Sequence, residues 1–393
     1  MSSVYPRPEL GRQMATQLLR PGPLDASLQS GLFLSGQRRT GKTTFLQHDL
    51  IPALEAMGAL VIYVDLWSDV QASPSSLVHA AVKQALTELQ NQGSRMRRTL
   101  ARVKGAEVGA LGFKFGFSLD SLGKEDGITL AQAIGAIVEQ AQTDVVLIID
   151  EVQHAITSEN GHGLLLALKA ARDAINQNPQ SQGRFYFVGT GSHRAMVNEL
   201  TARRNQAFAG AVSVPFPLLG RDYVEHLLQH AADGGLGPQM PSPEVAWHGF
   251  QTLGQRPEEM LRALRQQLVA LQEQPQLKPD EVFPVVASTL RNALAGEELR
   301  RLESLGGLAE AIFARIAATE AGESKGVFTP DALKAYGEHL HRPVRMEEVQ
   351  PTINAMLDEN IVLRKAHGLY AITDPFVHQA WKESQAVQAR LQG

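Results

Sequence analysis

Eight residues constrain this chain more than any other feature: Gly36-Gln37-Arg38-Arg39-Thr40-Gly41-Lys42-Thr43 fits the pattern G-x-x-x-x-G-K-[ST]. The pattern carries chemical meaning when a strand leads into it and a helix leads out. Here the apolar run GLFLSG (31–36) precedes it and the helical pattern FLQHDLIPALEA follows. Gly36 and Gly41 let the backbone curl so that its N–H groups face phosphate oxygens, and the positive end of the following helix adds to the field. Lys42 is expected to bridge the β- and γ-phosphates and Thr43 to ligate Mg²⁺. The expected nucleotide cradle is therefore Gly36, Gln37, Arg38, Arg39, Thr40, Gly41, Lys42, Thr43 and Thr44.

Such a loop requires a parallel sheet, and the chain supplies one. Between Gly31 and about Pro217, short apolar runs at 31–36, 59–66, 144–150, 184–190 and 211–216 alternate with helical stretches, the pattern of a parallel sheet flanked by helices. The third run, DVVLIID, ends in Asp150 and is followed by Glu151. A buried strand thus delivers two carboxylates to the sheet edge where ligands of open α/β folds bind. Asp150 suits the Mg²⁺ shell and Glu151 suits a base that polarises the attacking water, the alternative for Asp150 being a helix cap. The fourth run ends in Thr190 and Ser192, whose hydroxyls suit either the γ-phosphate and its water or turn chemistry.

The 393 residues exceed the roughly 250–300 at which one hydrophobic core stops growing, so more than one domain is expected. After Leu219 the strand signal stops, and RDYVEHLLQHAA and RPEEMLRALRQQLVALQEQ read as amphipathic helices. From about Leu305 the pattern gives three helices and a hairpin turning at Gly368, the description of a winged helix. The expected domains are a core over 1–219, a helical lid with a connecting helix over 220–300 and a winged helix over 301–393. A Gly-rich hairpin is expected over 105–119, with Val108, Leu111, Phe113, Phe115 and Phe117 as its apolar positions.

The chain has no cysteine, which excludes disulfides, thiolate metal sites and cysteine nucleophiles and points to the cytoplasm. No stretch approaches the roughly 18 apolar residues of a membrane span, so no membrane role is expected. No Asn-Lys-x-Asp or Thr-Lys-x-Asp guanine-reading motif occurs, which favours ATP. His226 and His230 have i, i+4 spacing but no acidic third ligand, and read as a solvated helix face.

GQRRTGKTTFL, VIYVDLW, VVLIIDE and FVGTGS together resemble the AAA+/STAND-type P-loop ATPases of the archaeal-ATPase-like group, relatives of the origin-recognition initiators. The paired arginines of the loop and the late Asp374-Pro375 and Trp381 are also similar to that group. The resemblance implies an AAA+ α/β fold with sheet order 5-1-4-3-2, a helical lid and a C-terminal winged helix. It implies Mg²⁺-dependent ATP hydrolysis driving a conformational switch or an assembly, with Lys42, Glu151 and Thr190 at the chemistry. Gly254-Gln255-Arg256-Pro257 resembles the lid motif whose arginine senses the γ-phosphate, while Arg256 also fits a plain helix start.

Family members often carry an arginine just before the fifth strand that reaches a neighbour's nucleotide. Here that position reads Phe208-Ala209-Gly210-Ala211, leaving Arg203 and Arg204 as candidates that equally fit solvated charge. A protein partner or self-assembly is expected. DNA is the alternative partner, through the winged helix or through Arg95, Arg97, Arg98 and Arg102, a cluster that also fits a solvated helix face. Glu347, Glu348, Asp358 and Glu359 on the third helix oppose a polyanion, and only Arg364, Lys365 and His367 in the wing favour one.

Overall fold

The computed structural model describes residues 4–69, 71–104, 113, 115–118, 122–123, 127–158, 160–192, 197, 200–201, 206–366 and 368–392. The chain divides into two compact units, Met1–Pro217 and Leu218–Gly393.

The first unit is built on five parallel strands, β1 (Leu32–Ser35), β2 (Leu60–Asp65), β3 (Val145–Asp150), β4 (Phe185–Gly191) and β5 (Val212–Pro215), in the order β2-β3-β4-β1-β5. That is the implied order 5-1-4-3-2, and it sets the Thr190 strand between the loop strand and the Asp150 strand. β3 is buried along its whole length, because helices cover both faces of a parallel sheet and leave no solvent side to encode. Its alternate residues feed two cores. Val145, Leu147 and Ile149 join Phe33 and Phe187 on one face, and Val146 and Ile148 join Leu34 and Val188 on the other. β2 lies at the sheet edge and alternates buried with half-buried residues.

The second face is covered by α1 (Pro8–Leu19) and by α2 (Lys42–Phe45), which continues through a π-helical turn (Leu46–Leu50) into α3 (Ile51–Ala56). The first face is covered by α4 (Pro74–Gln90), α5 (Arg95–Lys104), α6 (Leu130–Ala141), the short α7 (Gln153–Thr157) and α8 (Gly161–Asn176). Local signals set two of these starts: Ser73 caps α4 by accepting from the Ser76 amide, and Thr129 with Gln132 forms a capping box on α6. Most of the hairpin expected over 105–119, Val108 and Leu111 included, lies outside the described residues. Of its apolar positions, Phe113 is buried in the core and Phe115 stacks on Phe117.

The second unit begins with four helices, α9 (Arg221–Asp233), α10 (Pro243–Thr252), α11 (Pro257–Glu273) and α12 (Pro279–Ser304). The position expected to separate lid from winged helix, 300/301, falls inside α12. Then follow α13 (Gly307–Ala317), β6 (Glu323–Lys325), α14 (Pro330–Leu340), α15 (Met346–Asp358), β7 (Val362–Ala366), β8 (Leu369–Ile372) and α16 (Pro375–Gln392). β7 and β8 form the expected antiparallel hairpin, with Gly368 at φ 71° in its turn, and β6 pairs with the far side of β8. β6 has no sequence signature, since three residues between Gly322 and Gly326 are too few to show alternation. Among the described residues, no helix is long and apolar enough to cross a membrane.

Candidate functional site

The loop lies at the C-terminal edge of the first unit's sheet, where β1 ends at Ser35. Gly36 continues β1 by donating to the Gly191 carbonyl at 3.1 Å, and a Cβ on Gly36 would meet the Phe216 Cβ at 3.1 Å, a contact tight enough that Phe216 would have to give way slightly. Arg39 (φ 64°) and Gly41 (φ 85°) occupy the left-handed region and curl the backbone, and the buried Thr40 hydroxyl ties the curl to the Gln37 carbonyl at 2.8 Å. Lys42 is 5% exposed, and its ammonium donates to the carbonyls of Gly36 (2.8 Å) and Gln37 (2.7 Å). The cation is thereby held across the loop.

Arg7 braces the loop from outside. Its amide donates to Asp49 at 2.7 Å, and its guanidinium lies over the rings of Phe216 (4.6 Å) and Phe45 (5.0 Å) while donating to the Pro217 carbonyl at 3.0 Å. Nothing in the sequence flagged Arg7, because its partners lie 42 and 210 positions away.

Asp150 is 1% exposed, and both its oxygens are engaged. Oδ2 accepts from the Thr43 hydroxyl at 2.6 Å and the Tyr63 hydroxyl at 3.2 Å, and Oδ1 accepts from the Thr190 hydroxyl and from the Glu151 amide at 3.1 Å. The helix-cap alternative is not the arrangement found, since α7 has no side-chain cap. A hydroxyl and a carboxylate this close, beside a phosphate-binding loop, are hard oxygen donors of the kind Mg²⁺ takes when substrate phosphates complete its shell. Among the described residues, no cluster of three or more His, Cys, Asp or Glu could hold a metal ion.

Glu151 sits at φ 57°, a position uncommon for a side-chain-bearing residue, which turns its carboxylate back over the sheet edge. Its Oε2 accepts from the Ser192 amide (3.2 Å), the Ser192 hydroxyl (2.9 Å) and the Gln153 amide group. Gln153 also donates to the Ser192 hydroxyl at 3.0 Å. Asp65, opposite Asp150 in the β2–β3 register, has its pKa raised by burial and by the charges of Asp150 and Glu151. Burial lowers the pKa of His154, whose ring meets Trp67 edge-on at 5.3 Å.

Arg256 lies in the second unit at the start of α11, 8% exposed, ion-paired with Asp374 and stacked over Phe376 at 4.2 Å. Burial pushes the Asp374 carboxyl up to about 6, against the pull of Arg256. The folded chain therefore binds a proton there that the unfolded chain has released. This residue's contribution to stability is largest below about pH 4 and declines as pH rises towards 6. Urea unfolding is expected to show wild-type stability falling over that interval relative to Asp374→Asn. Equal slopes in the two proteins would contradict the assignment.

The Arg95–Arg102 cluster is not one surface. Arg95 pairs with Glu55 at 2.9 Å, and Arg97 is 1% exposed, donating to the Leu89 carbonyl at 3.1 Å with its guanidinium over Phe113. Of the four, Arg98 and Arg102 are exposed and make no ion pair among the described residues. In the second unit, Lys365 pairs with Glu323, and Arg342 with Glu348 at 2.8 Å, so part of the positive charge near the hairpin is neutralised. Arg203, Arg204 and His367 lie outside the described residues. Phe208, in place of an arginine before β5, is fully buried and stacks on Phe187 at 4.3 Å.

Residues 26–197 match the family model described as an AAA domain, a span that holds the loop, Asp150, Glu151, Thr190 and Ser192. No curated protein matches the chain. Among solved structures, a Walker-type ATPase of Pyrococcus abyssi aligns over 94% of this chain and 95% of its own, at 15% identity and a TM-score of 0.55. The ORC2 protein of Aeropyrum pernix aligns in its ADPNP–ADP complexes over 97% and 94%, at 13% identity and a TM-score of 0.54. Its ADP form aligns over 98% and 94%, at 11% identity and a TM-score of 0.55. With the sheet order, the loop geometry and these likenesses together, residues 26–197 are similar to an AAA domain and the chain has the fold of the AAA+ P-loop ATPases.

Proposed function

We propose that this chain is an Mg²⁺-dependent ATPase that works as a nucleotide-driven conformational switch or assembly factor. The observation that carries the reading is the 2.6 Å contact of Thr43 with Asp150 beside the buried Lys42, with Glu151 one residue on. Lys42 would meet the β- and γ-phosphates, and Thr43 and Asp150 would hold Mg²⁺, which would supply positive charge against the negative charge that develops in the reaction. Thr190 orients Asp150. Glu151 would take the proton of the attacking water, held ready by Ser192 and Gln153. The P-loop ATPase core, the helical lid with its connecting helix and the winged helix would form the moving parts, over 1–219, 220–300 and 301–393, and Arg256 would couple nucleotide state to the lid.

A second reading, an ATP-dependent DNA loader, draws support from the helix–strand–helix–helix–strand–strand order from α13 to β8, which we read as a winged helix. The acidic α15 and the dispersed arginines weigh against it. Sizing the protein by light scattering in ADP and in ATP with Mg²⁺, with and without duplex DNA, separates the two. The switch reading expects a change in size or mass on going from ADP to ATP and no added mass from DNA at about 0.15 M salt. A profile indifferent to nucleotide sinks it, and DNA binding that weakens steeply with salt supports the loader.

A further inference from the structure

Phosphoryl transfer to water gathers negative charge on the γ-phosphate oxygens and on the bridging oxygen that leaves, and enzymes commonly set an arginine against it, from the same chain or a neighbour. The usual source before the fifth strand is absent, since Phe208 fills that place as a core residue. Arg38 is the alternative on the loop itself. It is exposed, and no ion pair involves it among the described residues, so its charge is not committed to a carboxylate. Two neighbours fix its direction. Its guanidinium lies over the Trp67 ring at 4.7 Å, and its Nε donates to the Ser192 hydroxyl at 3.4 Å. That hydroxyl in turn donates to Glu151 at 2.9 Å. Arg38 therefore stands one hydroxyl away from the carboxylate assigned to the attacking water, on a loop whose function is to hold phosphate.

We propose that Arg38 is a catalytic residue acting in cis, bound to the γ-phosphate in the transition state, with Trp67 and Ser192 as its positioning residues. The inference rests on the ATPase reading above. In the step, the water oxygen bonds to the γ-phosphorus as the bond to the β–γ bridging oxygen breaks. The water's proton leaves towards Glu151 and ends on the inorganic phosphate, and the electron pair of the broken bond stays with ADP. Arg38 neutralises the charge spread over the γ and bridging oxygens. Its planar fork suits two such oxygens at once, which a lysine ammonium does not.

The test uses the full-length protein. Arg38→Ala is expected to lower kcat by about 10³-fold while the Kd for a fluorescent ATP analogue changes by less than about fivefold, and to lose the tight trapping of ADP with aluminium fluoride. Arg38→Lys is expected to recover only part of the rate, about tenfold over Arg38→Ala. Trp67→Ala is expected to lower kcat more than it raises KM, with Trp67→Phe restoring it, as a stacking platform requires and a general packing role does not. An equimolar mixture of Arg38→Ala and Lys42→Ala should remain as slow as its components. Recovery in the mixture would place the catalytic arginine in trans and overturn the inference. So would an Arg38→Ala protein within about threefold of wild-type kcat, or one whose loss lies wholly in ATP affinity. A wild type with no turnover would instead fail the ATPase reading.

Discussion

Replacing Lys42 with alanine is expected to cut ATP turnover by at least about 10³-fold and to weaken ATP binding by about 10²-fold or more. The ammonium is almost wholly buried, and two backbone carbonyls 2.7 and 2.8 Å away hold it across the loop. Phosphate oxygens would replace those carbonyls with full charge, and in a partly desolvated site that exchange is worth far more than in water. Losing it removes both ground-state affinity and transition-state stabilisation. Isothermal titration with ATP and a phosphate-release assay read the two effects separately. A Lys42→Ala protein with wild-type turnover would remove the loop from the chemistry.

Glu151→Gln should separate the two effects in a different way. Turnover is expected to fall by about 10²- to 10⁴-fold, the range of a lost general base, while ATP affinity stays within a few fold of wild type. The amide oxygen of glutamine still accepts from the Ser192 amide and hydroxyl, so the local scaffold survives. What is lost is the carboxylate that takes the water's proton. ATP should therefore remain bound and intact, recoverable as ATP after rapid desalting and acid quench. Unchanged single-turnover hydrolysis would move the base to another residue, and loss of binding would make Glu151 a structural group.

Several parts of this arrangement were legible in the sequence. The loop was, because its spacing encodes a backbone shape that few residues permit. The strands were, because VVLII is apolar at every position before Asp150 and a helix-flanked parallel sheet buries both faces. Sheet order was not legible from spacing and entered only through the resemblance to AAA+ ATPases. Contacts between residues far apart in sequence were not legible either. Arg7 on Gly41 and Phe216, Tyr63 on Asp150 and Ser192 on Glu151 all depend on the fold bringing separate strand ends together.

The arginines of α5 show how close spacing misleads in the other direction. Arg95, Arg97 and Arg98 read as one basic stripe, but each helical step turns about 100°. The turn carries Arg97 into the core while Arg95 meets Glu55. For Arg256, the motif fits both a sensing arginine and a plain helix start; a helix does start at Pro257, but the ion pair of Arg256 with Asp374 spans 118 positions, and no local pattern announces it.

Steady-state phosphate release by the purified full-length protein, with ATP in the presence and absence of Mg²⁺, tests the central claim most directly. The pairing of Thr43 with Asp150 beside Lys42 predicts many turnovers per protein with the ion and none without it. ATP bound with Mg²⁺ but never cleaved, or cleavage indifferent to the ion, would contradict it.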